Sequence, residues 1–496
     1  MILLLVLVPT LAGLLSFAVS SYRVRRGLLL GTALVHAALT GYVWSHRAAC
    51  AGNAWLAADA IGLLFLAITS LLFLAAAVYA VGYLSREGLA AKKDFEEGLI
   101  FTNQPEAVFT GCLLFFLATM TLVCLSQHLG LLWVAIEATT LASAPLIYYH
   151  RHHRSLEATW KYLLICSVGI ALALLGTFFL VVAASPVQGG SAPLFLRVLL
   201  RPDAPLQATW VHAAFIFLVV GYGTKMGLAP LHTWLPDAHS ESPSVVSALL
   251  SGALLNCAFL GILRVFQVCA HAGEALFAQR ILEGFGILSM VIAAAFIVGQ
   301  PDYKRLLAYS SVEHMGILAL GLGLGGGALF GTLLHAVNHS LTKGMLFLVA
   351  GNVLAAYQTK SCAQVRGLLR VLPVSGILWV GGFLAITGTP PFGPFISKFI
   401  ILKSAFEQGH WVLAVAALAI MAVIFAGMAV IVLRMAQGEA RPESPSGSGV
   451  GHSRERLGLV LPPALLGLAV VVLGLYVPAS LEQVLHECAA LLGATP

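Results

Sequence analysis

Apolar runs of about 20 residues recur along nearly the whole chain, each long enough to cross a hydrocarbon core of roughly 30 Å as a helix. Inside such a core every backbone N–H and C=O must find its partner within the segment, so helices are what these runs form. Hydrophobic residues make up 59% of the 496 and charged residues 10%, where soluble domains carry roughly 25% charged. The reading is an all-α polytopic membrane protein with about fourteen spans. They fall at 2–20, 27–45, 58–84, 108–126, 128–148, 159–184, 208–229, 243–270, 279–298, 304–323, 328–355, 373–389 continuing as 394–408, 411–435 and 458–478.

The first run lacks a positive region ahead of it, and its basic cluster (Arg23, Arg25, Arg26) follows it. That favours a retained helix with the N-terminus outside over a cleaved signal. If loops alternate between sides, 18 of the 27 basic residues fall on one side and 5 (Arg47, Arg197, Arg201, Arg280, Lys403) on the other. The expectation is both termini outside a cell inner (plasma) membrane, with the basic loops cytoplasmic. The net charge of +6 is then mostly a topology signal and gives nucleic-acid binding no support. The chain divides into 1–107 (three spans and a cytoplasmic loop), 108–270 and 279–435 (five spans each), a linker at 436–457, and 458–496 (a last span and a short amphipathic tail, with no long lateral helix). The Gly/Ser/Pro-rich linker is expected to be disordered on the cytoplasmic side.

Beyond those assigned to either side, four basic residues remain, each inside a span: Lys225, Arg264, Lys343 and Lys398. Arg264 lies near the end of its run, where it can snorkel to the interface. The lysines are deeper, and a charge at a helix centre costs about 2.5 to 3.5 kcal/mol to insert, so each should face protein, water or a counter-charge. The clear carboxylate candidate is Glu137 in LLWVAIEATTLASAPLI, with Glu313 in SSVEHMG a second. Lys225 precedes Pro230 and Pro236, and Lys398 follows Pro390, Pro391 and Pro394. Proline breaks a helix, and a break at membrane depth is tolerated where protein or water satisfies the freed groups. Two interrupted helices, each carrying a lysine, suit a transporter built from two inverted five-helix repeats.

Between the breaks, HAVNHSLTKGMLFLVAG places His335, His339 and Lys343 at i, i+4 and i+8, within about 80° of one helix face and over roughly 12 Å. Such a row could line a hydrated proton path. Two core histidines bonded to carbonyls would read the same way, as would three lysines that merely tie helices to carbonyls. Zinc has less support, because the glutamate of an HExxH pair is absent.

The segments TKMGLAPLHTWLPDAHSESPSVVSALLSG, DYKRLLAYSSVEHMGI, HAVNHSLTKGMLFLVAG and PPFGPFISKFIIL resemble the antiporter-like proton-channel subunits. These are shared by respiratory complex I, Mrp-type cation/proton antiporters and membrane-bound group 4 nickel–iron hydrogenases. The resemblance covers 50–435, and EATTLASAPLIYYHRHHRSLEATWKYLL is most similar to the hydrogenase-4 and formate hydrogenlyase membrane subunits. It implies a proton-translocating role for Glu137 on the fifth helix, Lys225 on the broken seventh, the central His335, His339 and Lys343, and Lys398 on the broken twelfth. Where several relatives carry a lysine on the eighth helix, this chain has Asn256. A relay there would pass by water, Ser251 or His239.

Burial disfavours an ammonium. A carboxylate about 7 Å away restores it by about 2 kcal/mol at an effective dielectric near 20, so loosening Glu137 would push Lys225 to release its proton. GLGLGGG at 321–327 reads as helix packing or a turn, since no strand precedes it. The histidines 150, 152 and 153 read as a basic loop, and Asp302, Lys304 and Arg305 as the start of a cytoplasmic-side helix with Asp302 as its cap, with subunit docking as their alternative. The eight cysteines form no CxxC pair, and no ligand set for iron–sulfur, haem or flavin is visible. No cofactor and no metal are expected on this chain, so a redox-driven pump would keep its electron transfer in a peripheral module among partner subunits. Three classes stay open: a proton-translocating subunit of a redox complex of the NADH-quinone oxidoreductase or hydrogenase type, an Mrp-type sodium/proton antiporter subunit, and an energising membrane component of a non-redox assembly.

Overall fold

A computed structural model describes residues 1–50, 52–87, 92–94, 98–185, 194–204, 206–438 and 455–493. The central part of the expected linker, 439–454, lies outside the described residues. The helices are α1 Ile2–Ala18, α2 Tyr22–Ser45, α3 Ala60–Leu84, α4 Glu106–Leu125, α5 Leu129–Ile147, α6 His153–Ala184, the short α7 Leu196–Leu199, α8 Ala208–Met226, α9 Trp234–Glu241 and α10 Ser244–Leu249. A π-helical turn, Leu250–Leu254, joins α10 to α11 Leu255–His271, so that the three form one continuous rod. Then come α12 Ala275–Ile297, α13 Tyr303–Leu324, α14 Ala328–Tyr357, α15 Leu368–Val371, α16 Pro373–Thr387, α17 Gly393–Glu407, α18 Trp411–Ala436, α19 Leu457–Leu475 and α20 Ala479–Leu491. The cytoplasmic loop expected after α3 also holds a two-residue antiparallel pair, β1 Lys92–Lys93 with β2 Ile100–Phe101.

Eleven of these rods are long and apolar enough to cross a membrane. The other three expected spans are the shorter apolar α1 and α16 and the 19-residue α8. The protein is an all-α, multi-pass membrane protein. Its outer helices turn apolar side chains outward, as with Leu164 (61% exposed) and Val412 (84%) on α6 and α18. In a bilayer that is the favourable arrangement, and polar groups go inward instead. The inward extreme is α14, which packs against α3, α10, α13, α16, α17, α19 and α20.

Both expected breaks are present, and each helix stops at a glycine before the prolines come into play. At the end of α8 Gly227 adopts φ 86°, and at the end of α16 Gly388 adopts φ 87°. Only glycine reaches this left-handed region without a steric penalty. The prolines then keep the chain from resuming the same helix, and α9 and α17 start afresh.

Arg264 does not snorkel. It is 2% exposed and grips Asp59, the N-cap of α3, through two bonds of 2.6 and 2.5 Å. Burial would raise the Asp59 carboxyl, but the adjacent guanidinium and the capping bond from Gly62 hold it below the ordinary carboxylate value. The alternative to snorkelling won because a guanidinium matches a carboxylate bidentately.

Candidate functional site

The polar interior begins on α5 and α8. Lys225 occupies the last turn of α8 and is completely buried. Its ammonium donates to Thr140 Oγ1 at 2.8 Å and to Tyr162 OH at 2.6 Å. Thr140 in turn donates to Glu137 Oε2 at 3.2 Å, and Ser167 donates to Glu137 Oε1 at 3.0 Å. Lysine and glutamate are therefore joined through one hydroxyl instead of touching. Thr140 lies one turn beyond Glu137 on α5, so the helix itself sets that spacing. Tyr162 from α6 also pairs with Ser143 Oγ at 2.6 Å and offers its ring to the ammonium, 4.4 Å from its centroid. A buried ammonium with hydroxyl and ring partners keeps its charge at a lower cost than one among alkyl groups.

The central row sits on α14 as its spacing requires. His335, His339 and Lys343 are all completely buried. Lys343 donates to Leu307 O at 2.6 Å and to Ser310 Oγ, both on α13. His335 Nε2 meets His314 Nδ1 at 2.7 Å, and His335 Nδ1 meets Ser397 Oγ at 2.8 Å. His314 Nε2 reaches Ile386 O at 3.0 Å. Lys398, on α17, bonds Glu313 Oε1 at 3.2 Å and donates to the same Ile386 carbonyl at 3.1 Å.

His239, on α9, is buried and stacks on Phe347 with ring centroids 4.9 Å apart. Neither of its nitrogens has a hydrogen-bond partner among the described residues, nor do those of His339 or the amide of Asn338. Leaving a buried polar group unpaired costs about 1 to 3 kcal/mol for each such group. Asn256 donates to Gly252 O at 3.1 Å and Ser340 Oγ at 2.5 Å, while its carbonyl is likewise unpaired. Ser251, in the π turn, bonds Ser311 Oγ on α13 at 2.8 Å. Among the described residues no direct bond joins the Lys225 cluster to the histidine row.

Three contributors to the buried polar interior are not read as such from the sequence, where Lys304 stands only as part of a helix start. His314 neighbours Glu313, yet its role depends on His335, 21 residues away. Lys304 is 1% exposed and donates to Ser240 O and Ser242 O at 3.0 and 2.6 Å. The signal for both was available as a polar stripe on α13: Lys304, Ser311 and His314 at i, i+7 and i+10, with Ser310 and Glu313 alongside. The third is a polar cavity of about 630 Å³ lined by Lys161, Asp237, Ser240, Glu241, Asp302, Arg305 and Lys360, among others. Lys360 bonds Glu241 at 2.7 Å on its wall. Among the described residues no group of three or more His, Cys, Asp or Glu stands at metal-holding spacing.

The family model described as NADH:quinone oxidoreductase/Mrp antiporter, TM, matches residues 126–424. The chain is 35% identical over 492 residues to the hydrogenase-4 component F homolog of Methylacidiphilum infernorum, covering 98% of each. It is 33% identical over 377 residues to the NADH-quinone oxidoreductase subunit N of Desulforudis audaxviator, 73% of each. Among solved structures, a chain of the Mrp complex from Dietzia sp. DQ12-45-1b shares the fold with a TM-score of 0.84 at 20% identity, covering 99% of this chain and 97% of that one. One in respiratory complex I from Thermus thermophilus does so with a TM-score of 0.79 at 24% identity, over 100% of both. With that family match over the two lysine-bearing breaks and the histidine row between them, the chain belongs to the NADH:quinone oxidoreductase/Mrp antiporter family of transmembrane subunits.

Proposed function

We propose that this chain is a proton-translocating membrane subunit of a redox-driven complex, coupling electron transfer in partner subunits to proton movement. It would lie in the cell inner membrane with both termini outside, beside other membrane subunits and a peripheral redox module. Glu137, Lys225, His239, His335, His339, Lys343 and Lys398 carry the proton, along two inverted five-helix repeats. The observation that carries this reading is Lys225, completely buried and joined to Glu137 through a single hydroxyl. Displacing Glu137 leaves the ammonium with neutral partners only and favours release of its proton. The unpaired nitrogens of His239 and His339 favour a hydrated segment that would take the proton on toward His335 and Lys398.

The test is transport by the assembled complex reconstituted in vesicles. Lys225→Ala should abolish coupled proton pumping, and unchanged pumping would refute the assignment. The fold shared with a chain of an Mrp complex favours one alternative, a subunit of a sodium/proton antiporter. Transport that requires sodium, with no redox module copurifying, would select it.

A further inference from the structure

Counted in chain order, Glu313 and Lys398 lie on the second and fourth helices of the second five-helix stretch, as Glu137 and Lys225 do in the first. Lys225 and Thr140 are 85 residues apart, and so are Lys398 and Glu313. The second pair differs in having no hydroxyl between its members. Glu313 is 1% exposed, with Oε1 3.2 Å from Lys398 Nζ and Oε2 4.0 Å from His314 Nε2. A single carboxylate thus stands between an ammonium and an imidazole.

Hydrogen-bond logic sets the protons here. A carbonyl only accepts, so His314 carries its proton on Nε2, toward Ile386 O. With both rings neutral, His314 Nδ1 accepts from His335 Nε2–H, and His335 Nδ1 accepts from the Ser397 hydroxyl. One more proton fits at His335 Nδ1, because Ser397 can turn its hydroxyl to Pro394 O at 3.1 Å. From there the charge can pass to His314 across the 2.7 Å bridge. The helix break makes this arrangement possible. At the end of α16 Gly388 N and Thr389 N satisfy Ala385 O and Leu384 O, and the Ile386 carbonyl is left for His314 and Lys398.

Building on the proton-translocation reading, we propose that Glu313 is a positioning residue that serves as a shared counter-charge, held by Lys398 while the histidines are neutral and claimed by them once a proton arrives. The charge balance follows. Glu313 and Lys398 sum to zero, a proton on the histidine pair makes the cluster +1, and loss of one proton from Lys398 Nζ restores zero. A neutral cluster is the favourable state in a buried site. Arrival of one proton therefore releases another, and Lys398, whose carboxylate partner then turns to His314, is the group that loses it.

The test is proton flux through the reconstituted complex under an imposed potassium diffusion potential. Glu313→Gln should lower flux at least about tenfold and Glu313→Asp should restore most of it, in keeping with a group that governs proton transfer. If Glu313→Gln matches wild type while Lys225→Ala stops flux, the shared counter-charge is wrong and the transport reading stands. If Lys225→Ala also changes nothing, both fall. Should Glu313→Gln fail to assemble, infrared difference spectra between wild type and Glu313→Asp decide. A change in an ionised carboxylate band supports the pair, and a change in a protonated carboxyl band overturns it. Lys398→Met leaves the carboxylate to the histidines alone, so nitrogen NMR of labelled histidine should show an imidazolium. Two neutral rings would overturn the sharing.

Discussion

Thr140 carries the contact between Lys225 and Glu137, and its hydroxyl both accepts from the ammonium and donates to the carboxylate. Thr140→Val keeps the shape and removes both bonds. Pumping by the complex should fall about tenfold or more, while Thr140→Ser, which can still do both, stays within about threefold. Equal pumping by the valine variant would mean that the two charges communicate by another route. Glu137 and Lys225 were legible in the sequence because a charge within an apolar run is expensive and stands out. Thr140 and Tyr162 were not. A hydroxyl in a membrane helix has its own backbone carbonyls to bond, as Thr139 does with Ile136 O, and nothing in the sequence says which hydroxyl will turn to a neighbouring helix.

Helix ends at the two breaks depend on glycine conformation as much as on proline. A Cβ on Gly388 would sit in left-handed backbone and meet Lys398 Cδ at 3.0 Å. Gly388→Ala should therefore cost at least about 1 to 2 kcal/mol for the backbone alone, seen as a lower thermal midpoint in detergent, and should also lower proton flux by moving Lys398. Gly273, at φ 82° with open space around its Cβ, is the control. Gly273→Ala carries similar backbone strain and should leave flux unchanged. The breaks could be anticipated because proline chemistry is local. The π turn at Leu250–Leu254 could not, since its extra residue is accommodated by the packing of α14 against it and has no composition of its own.

At the scale of the molecule, Asp59 and Arg264 tie the start of α3 to α11, and Gln267 extends the tie to Leu491 O at the end of α20. Arg264→Met should destabilise the protein by about 3 kcal/mol, because it leaves a largely enclosed carboxylate without its cation. The Asp59 carboxyl lies below its ordinary value in the folded protein. Its contribution is thus complete above the ordinary carboxylate range of about 4, and is lost as pH falls through the lower folded value. Thermal midpoints of wild type should drop below that pH more steeply than those of Arg264→Met, and parallel curves would rule the linkage out. The sequence alone determined that the chain crosses a membrane many times, where its helices break and which charges lie within them. Each of these follows from hydrophobic length, proline geometry and the cost of a charge in hydrocarbon, all of them properties of a short window. Only the tertiary structure decided which group each charge meets. Arg264 finds Asp59 across 205 residues and Lys398 finds Glu313 across 85, and such pairings are set by how helices pack, which no local pattern encodes.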